Sequence, residues 1–255
     1  MRGRFDLFAG ATMVLCFSTA VVQAAEVKVL AAGALQVAMR NLADDFNKQT
    51  GNHVTVTNTN PANVGKDLAA GQFDLVAAAT PTIAEFDETG KLQPGTRAPI
   101  ARTGIGIAIK QGAPKPDVST VSAFKKTVMG AKNIIYTDPT TPNASGANTQ
   151  HILTNAGLLD TVKAKGKEDG LATGRERIAK GEYEMGFFNV SEALAPGLTL
   201  AGPVPAPLQQ YINYDVAVLR AAPAKNEAAA FAKFITAKTA GDRWKTAGLE
   251  QLSPR

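Results

Sequence analysis

Five short stretches of this 255-residue chain place small or polar residues where a strand hands over to a helix: Gly33 with Ala34, residues 58–63, Thr80 to Thr82, residues 143–146 and residues 189–191. Such loops point backbone N–H groups and the positive end of a helix dipole at whatever lies before them, a setting that favours oxyanions and carboxylates. Any one of them alone reads as an N-cap. Five of them, at the expected carboxyl ends of strands in both halves of the chain, point to one shared anion site. No catalytic constellation competes with that reading. There is no GxSxG elbow and no HExxH helix, and GIGIA at 104–108 falls within a strand-like run. The single Cys, Cys16, and the two His, His53 and His151, leave no basis for a cysteine zinc site or a His-rich metal site, and no cofactor is expected.

The elements that must position these loops follow from the hydrophobic pattern. Residues 27–32 (VKVLAA) form a short buried strand, Gly33 breaks it, and Leu35, Ala38, Met39, Leu42 and Phe46 then share one helix face up to Gly51. Residues 54–57 are a second strand, 64–70 a short helix and 73–79 a third strand. A long apolar run at 100–110, with a crossing between lobes expected at Ile100 and Ala101, opens a second unit. Its expected elements are helix 121–128, strand 133–137, helix 147–156, helix 175–180, strand 183–188 and a short helix at 191–194. A strand at 211–219 and helices at 227–237 and 241–247 finish the chain. Strands alternating with helices predict an α/β fold of two doubly wound lobes joined by a hinge, with the ligand beyond the carboxyl ends of the strands. The expected division is lobe one at 25–100, with 205–255 returning to it, and lobe two at 101–204.

Composition agrees with a globular protein: 45% hydrophobic and 19% charged residues exclude disorder and collagen. Residues 1–24 carry Arg2 and Arg4, an apolar run of about 16 residues and the small-residue pattern Val22-Gln23-Ala24, which together read as an export signal cut after Ala24. The run is shorter than the roughly 20 residues that span a bilayer, which argues against a membrane anchor. Cleavage would remove the only thiol and leave 231 residues with 25 basic and 21 acidic side chains. That mild positive balance, without basic clusters interleaved with aromatics, disfavours nucleic acid and membrane surfaces and suits a small anion. A periplasmic monomer is expected.

The stretches VLAAGALQVAMRNLADDFNKQTG, GKDLAAGQFDLVAAAT, YTDP…SG and GFFNVSEAL resemble the periplasmic molybdate-binding proteins and their wider extracellular solute-binding relatives, over nearly the whole chain after residue 24. The resemblance implies the type II periplasmic binding protein fold, two α/β lobes closing on a ligand, and an ABC-transporter permease as partner. It also implies ligand positions. The family's first-loop Ser falls on Ala34, its second-loop Ser on the stretch Asn60, Pro61 and Ala62, and its Tyr on Asn189. The loss of three side-chain donors, each worth on the order of 1 kcal/mol, argues against a bare tetrahedral oxyanion. In their place stand amides and cations: Asn58, Asn60, Asn63 and Lys66 in one lobe, Arg102 near the crossing, Asn148 and Asn189 in the other. Arg and Lys suit carboxylates, so a di- or tricarboxylate is the expected ligand, and Arg102→Ala and Lys66→Ala are expected to weaken its binding.

The same resemblance extends to the periplasmic aconitate isomerase, which interconverts trans- and cis-aconitate and needs no cofactor. An allylic proton shift requires an acid and a base. The candidates by location are His151, Tyr136, Tyr211, Tyr214 and Glu192. Three functions therefore stand open at this point: a polycarboxylate receptor, an aconitate isomerase, and a molybdate or tungstate receptor.

Overall fold

The computed structural model describes residues 25–141 and 144–252. The expected export signal, its cleavage point, Cys16 and Asn143 lie outside the described residues.

The strand β1 (Glu26–Ala32) passes through a 3₁₀ turn at Gly33–Leu35 into α1 (Gln36–Thr50), which Gly51 stops in the left-handed conformation at φ 73°. There follow β2 (His53–Thr59), α2 (Val64–Ala70), β3 (Leu75–Ala79) and α3 (Thr80–Glu88), then β4 (Ala98–Lys110), a strand of 13 residues. The middle of the chain forms α4 (Val121–Gly130), β5 (Ile134–Thr137), α5 (Ala144–Asn155), α6 (Leu159–Lys165), β6 (Gly166–Asp169), α7 (Leu171–Lys180), β7 (Met185–Asn189), α8 (Val190–Ala193) and β8 (Leu198–Pro203). It ends with β9 (Tyr211–Val218), α9 (Lys225–Thr236), α10 (Gly241–Thr246) and β10 (Glu250–Gln251).

Strand pairing explains the two lobes. β1 lies between β2 and β3, parallel to both, and β9 runs antiparallel to β3 and to the first half of β4, up to the pair Gly104↔Tyr211. From Ile105 onward β4 pairs instead with β7, starting at Ile105↔Asn189, and with β8; β5 lies between β7 and β6, parallel to both. One strand thus serves both lobes and changes partners between Gly104 and Ile105. At that point the Gln209 amide stands in for a neighbouring strand. Its Oε1 accepts from the Ile105 N–H at 2.8 Å, and its Nε2 donates to the carbonyls of Ile105 at 2.9 Å and Val204 at 3.1 Å. A side chain at position 104 would displace this amide from its bonds, because a Cβ there would lie 2.5 Å from Gln209 Cδ.

Each lobe has its own core. In the first, Phe46 on α1 meets Phe231 and Phe234 of α9 edge-on at 5.3 and 5.4 Å, and the buried Trp244 of α10 donates its indole N–H to the Ile235 carbonyl at 3.0 Å. In the second, Phe124 of α4 packs edge-on against Phe187 of β7 at 6.2 Å. Burying side chains of this size contributes about 1.5–3 kcal/mol each and fixes the sheets whose strand ends build the site.

Candidate functional site between the lobes

Three strands end in the same way. Ala32 after β1, Ala79 after β3 and Asn189 after β7 adopt φ/ψ of −57°/143°, −55°/139° and −55°/144°, and a helical turn begins at the next residue. The first two are alanines, which have no side-chain oxygen to cap the N–H groups behind them, and no side-chain cap bond is made there. An α-helix leaves its first N–H donors without intrahelical partners, so two uncapped starts supply free donors. Ala32, Ala79 and Asn189 all line one cleft of about 260 Å³.

The first lobe contributes Gly33 and Ala34 from the turn before α1, Thr59, Asn60 and Pro61 after β2, and Pro81 and Thr82 at the start of α3. The register of β9 against β3 pairs Tyr214 with Ala79 and so brings the phenol into the same wall, beside Ile212. The second lobe contributes Asn189, Glu192 and Leu171. Most of the lining is apolar, and the polar side chains are few. No Lys or Arg lines the cleft among the described residues.

Two of the polar side chains are ionisable and deeply buried. Glu192 is 7% exposed, and its Oε2 accepts from the Asn189 N–H at 3.2 Å. Burial pushes its carboxyl up to about 7, against the opposing pull of the Asn189 N–H, the Arg175 charge and the Asn189 amide. Tyr214 is 4% exposed, and burial, reinforced by the Glu192 charge, raises its hydroxyl well above the ordinary phenol value. A carboxyl that titrates near neutrality beside a phenol that stays protonated can hold or move a proton at the cleft wall.

The other expected site residues lie elsewhere. Arg102 pairs with Glu250 at 2.6 and 2.8 Å and stacks on Tyr211 with 4.0 Å to the ring centroid, on a separate depression beside the hinge. Asn63 and Lys66 sit exposed at the start of α2, outside the lining. Thr80 turns away to donate to Asp215 Oδ1 at 2.8 Å, in a network with Arg97 Nε, also 2.8 Å from that carboxylate. Ser145 is fully buried and donates to Thr137 Oγ1 at 3.1 Å. Gly146 lets α5 approach the end of β5, since a Cβ would come within 2.6 Å of the carbonyls of Thr137 and Asp138. Neither lines the cleft. His151 is exposed on α5, and Tyr136 donates to Glu168 Oε1 at 2.8 Å between β5 and β6. Of the expected residues, the cleft therefore brings together Gly33, Ala34, Asn60, Asn189, Glu192 and Tyr214. Sequence reasoning missed Leu171, Ile212 and Arg175. The only signal for Arg175 was its place four residues after Leu171 on one helix face.

Comparison with known proteins agrees with this architecture. The chain is 27% identical over 232 residues to an aconitate isomerase from Pseudomonas sp, covering 88% of this chain and 87% of that one. It is 28% identical over 218 residues to the molybdate-binding protein ModA of Azotobacter vinelandii, 82% of each chain being covered. Among solved structures, the periplasmic molybdate-binding protein of Azotobacter vinelandii superposes with a TM-score of 0.69 at 21% identity, over 90% of this chain and all of that one, which shows the shared two-lobe fold. The profile of the bacterial extracellular solute-binding protein family matches residues 27–250, and the chain belongs to that family.

Proposed function

We propose that the cleft between the lobes holds a small polycarboxylate. The observation that carries this reading is the combination of two uncapped helix starts, at Ala32 and Ala79, with walls of Pro61, Val64, Ala78, Leu171 and Ile212. A carboxylate-bearing carbon skeleton uses both: its charges lie on N–H donors and its hydrocarbon lies on apolar side chains. A five-atom tetrahedral oxyanion has no hydrocarbon to set against those apolar walls. In this reading the protein is an exported monomer, released into the periplasm by cleavage after Ala24. As a receptor it delivers its ligand to a membrane permease of the ABC class, the usual partner of such families.

A second reading, supported by Glu192 and Tyr214 in the cleft and by the aconitate isomerase relative, is that the bound tricarboxylate is also isomerised. Glu192 in its ionised form would take a proton from one allylic carbon and return it to the other as the double bond moves, with no net proton gained or lost. Helix N–H groups would stabilise the charge that develops on the neighbouring carboxylate.

Both readings are tested by thermal-shift screening of the mature protein against citrate, cis- and trans-aconitate, molybdate, tungstate, sulfate and phosphate, with NMR of the aconitate samples. Stabilisation by carboxylates alone is expected. Interconversion of the aconitates would add the enzyme reading, and stabilisation by molybdate or tungstate alone would overturn the carboxylate reading.

A further inference from the structure

Glu192 stands where an anion receptor should least tolerate it. The residue lines the cleft from the second lobe and is 7% exposed, and its carboxyl accepts from the Asn189 N–H. Among the described residues no Lys, Arg or His lies within 4.0 Å of it. The neighbouring elements offer little to neutralise it. β7, β8 and the 3₁₀ turn before α1 carry no charged or titratable residue, and on β4 the charged residues are Arg102, already tied to Glu250, and Lys110 at the far end. Arg175 on α7 acts on it from beyond ion-pair distance, and across the cleft stands the neutral phenol of Tyr214. An anion seated on the helix starts of the first lobe would thus face a buried carboxylate without a cation partner, in a medium that screens poorly.

We propose that the cleft takes up one proton together with its anion, carried on the Glu192 carboxyl, so that ligand and proton bind and leave as a unit. This rests on the reading of the cleft as a receptor site for a carboxylate; isomerisation of the bound ligand by Glu192 would need the same carboxyl ionised in the complex and would count against it. Protonation removes the like-charge contact and turns Glu192 into an O–H donor facing the ligand. Burial already holds this carboxyl near neutrality, so the coupling operates in the range a periplasmic protein meets. The sign is fixed by the burial. Below about 7 the free site already holds the proton and affinity is level. Above it each pH unit costs a factor of ten, because a proton must be taken from solvent for every anion bound.

The test is isothermal titration of the mature protein with trans-aconitate and with citrate between pH 6.5 and 9, in buffers of different ionisation enthalpy, for the wild type and Glu192→Gln. The wild type is expected to absorb close to one proton per ligand at pH 8.5 and to lose about tenfold in affinity from pH 7.5 to 8.5. Glu192→Gln is expected to absorb none and to bind independently of pH. Binding by the wild type without proton uptake, or uptake that persists in Glu192→Gln, overturns the proposal and leaves the carboxylate site standing. No binding of either carboxylate at any pH overturns the carboxylate reading itself. The buffer dependence in the wild type alone decides the matter if Glu192→Gln does not fold.

Discussion

Across the 260 Å³ cleft, the corners after β1 and β3 in one wall and the corner between β7 and α8 in the other share one backbone conformation but furnish it differently. At the two first-lobe corners the N-cap positions are Ala32 and Ala79 and the surroundings are small and apolar, so the chemistry offered is that of backbone N–H groups, fixed at every pH. In the second lobe the N-cap is Asn189, folded against Glu192, and the wall carries a carboxyl that changes charge near neutrality. The same strand-to-helix corner therefore yields fixed N–H donors on one side and a titratable carboxyl on the other. The Tyr214 phenol reaches this meeting line from β9, the strand that the return crossing places beside β3.

The largest expected effect comes from the titratable side. Folded Glu192 holds its proton up to about 7, against a value of 4.5 for the free side chain. The stabilisation this represents is full below about 4.5 and is lost as pH rises through 7, a change of up to about 3 kcal/mol. Denaturant melts of the wild type and Glu192→Gln across pH 4 to 8 should show that slope in the first and its reduction in the second. A wild-type stability contribution that rises over this interval relative to Glu192→Gln would contradict the assignment.

The joint between the walls comes next. Gln209→Leu removes the amide oxygen that accepts from the Ile105 N–H, and leaving such a group without a partner costs about 1–3 kcal/mol. A fall in chemical stability, with a change in the interlobe distance by small-angle scattering, is the expected outcome; an unchanged melt would mean that water replaces the amide without loss. Tyr214→Phe removes one hydroxyl from the first wall. It should weaken carboxylate binding by about 0.5–1.5 kcal/mol in a titration. The smallest effects are expected at Arg102→Ala and Lys66→Ala. The first side chain is occupied by Glu250 and Tyr211 and the second is exposed outside the lining, so neither should change carboxylate affinity by more than about 0.5 kcal/mol.

Apolar runs and glycine punctuation make the buried strands and the long helices legible in the amino-acid sequence. β1, β3, β7 and β9 bury nearly continuous hydrophobic stretches, and Gly51 ends α1 where the pattern stops. β6 (Gly166–Asp169) leaves no such trace, because an edge strand of GKED is polar and partly exposed and owes its conformation to pairing with β5. The strand-end loops point to the cleft, and those around Ala34, Asn60, Thr82 and Asn189 do line it. Strand register and pairing, which periodicity does not give, set Arg102 against Glu250 and outside the lining of this cleft. At Gly146 the folded chain adds a constraint that composition does not give, the close approach of α5 to the end of β5. Glu192 and Tyr214 stand among several candidates in the sequence, and what singles them out is burial in one cavity, a property of the folded chain alone.

Whether a carboxylate lies between a fixed wall and a titratable one is decided by a crystal structure of residues 25–255 with trans-aconitate bound near pH 6. Carboxylate oxygens are expected on the first N–H groups after Ala32 and Ala79, ligand carbon against Pro61 and Ile212, and the Glu192 carboxyl within hydrogen-bond distance of the ligand. A ligand seated beside Arg102 in the hinge depression, or one that leaves Glu192 buried and untouched, would contradict that placement.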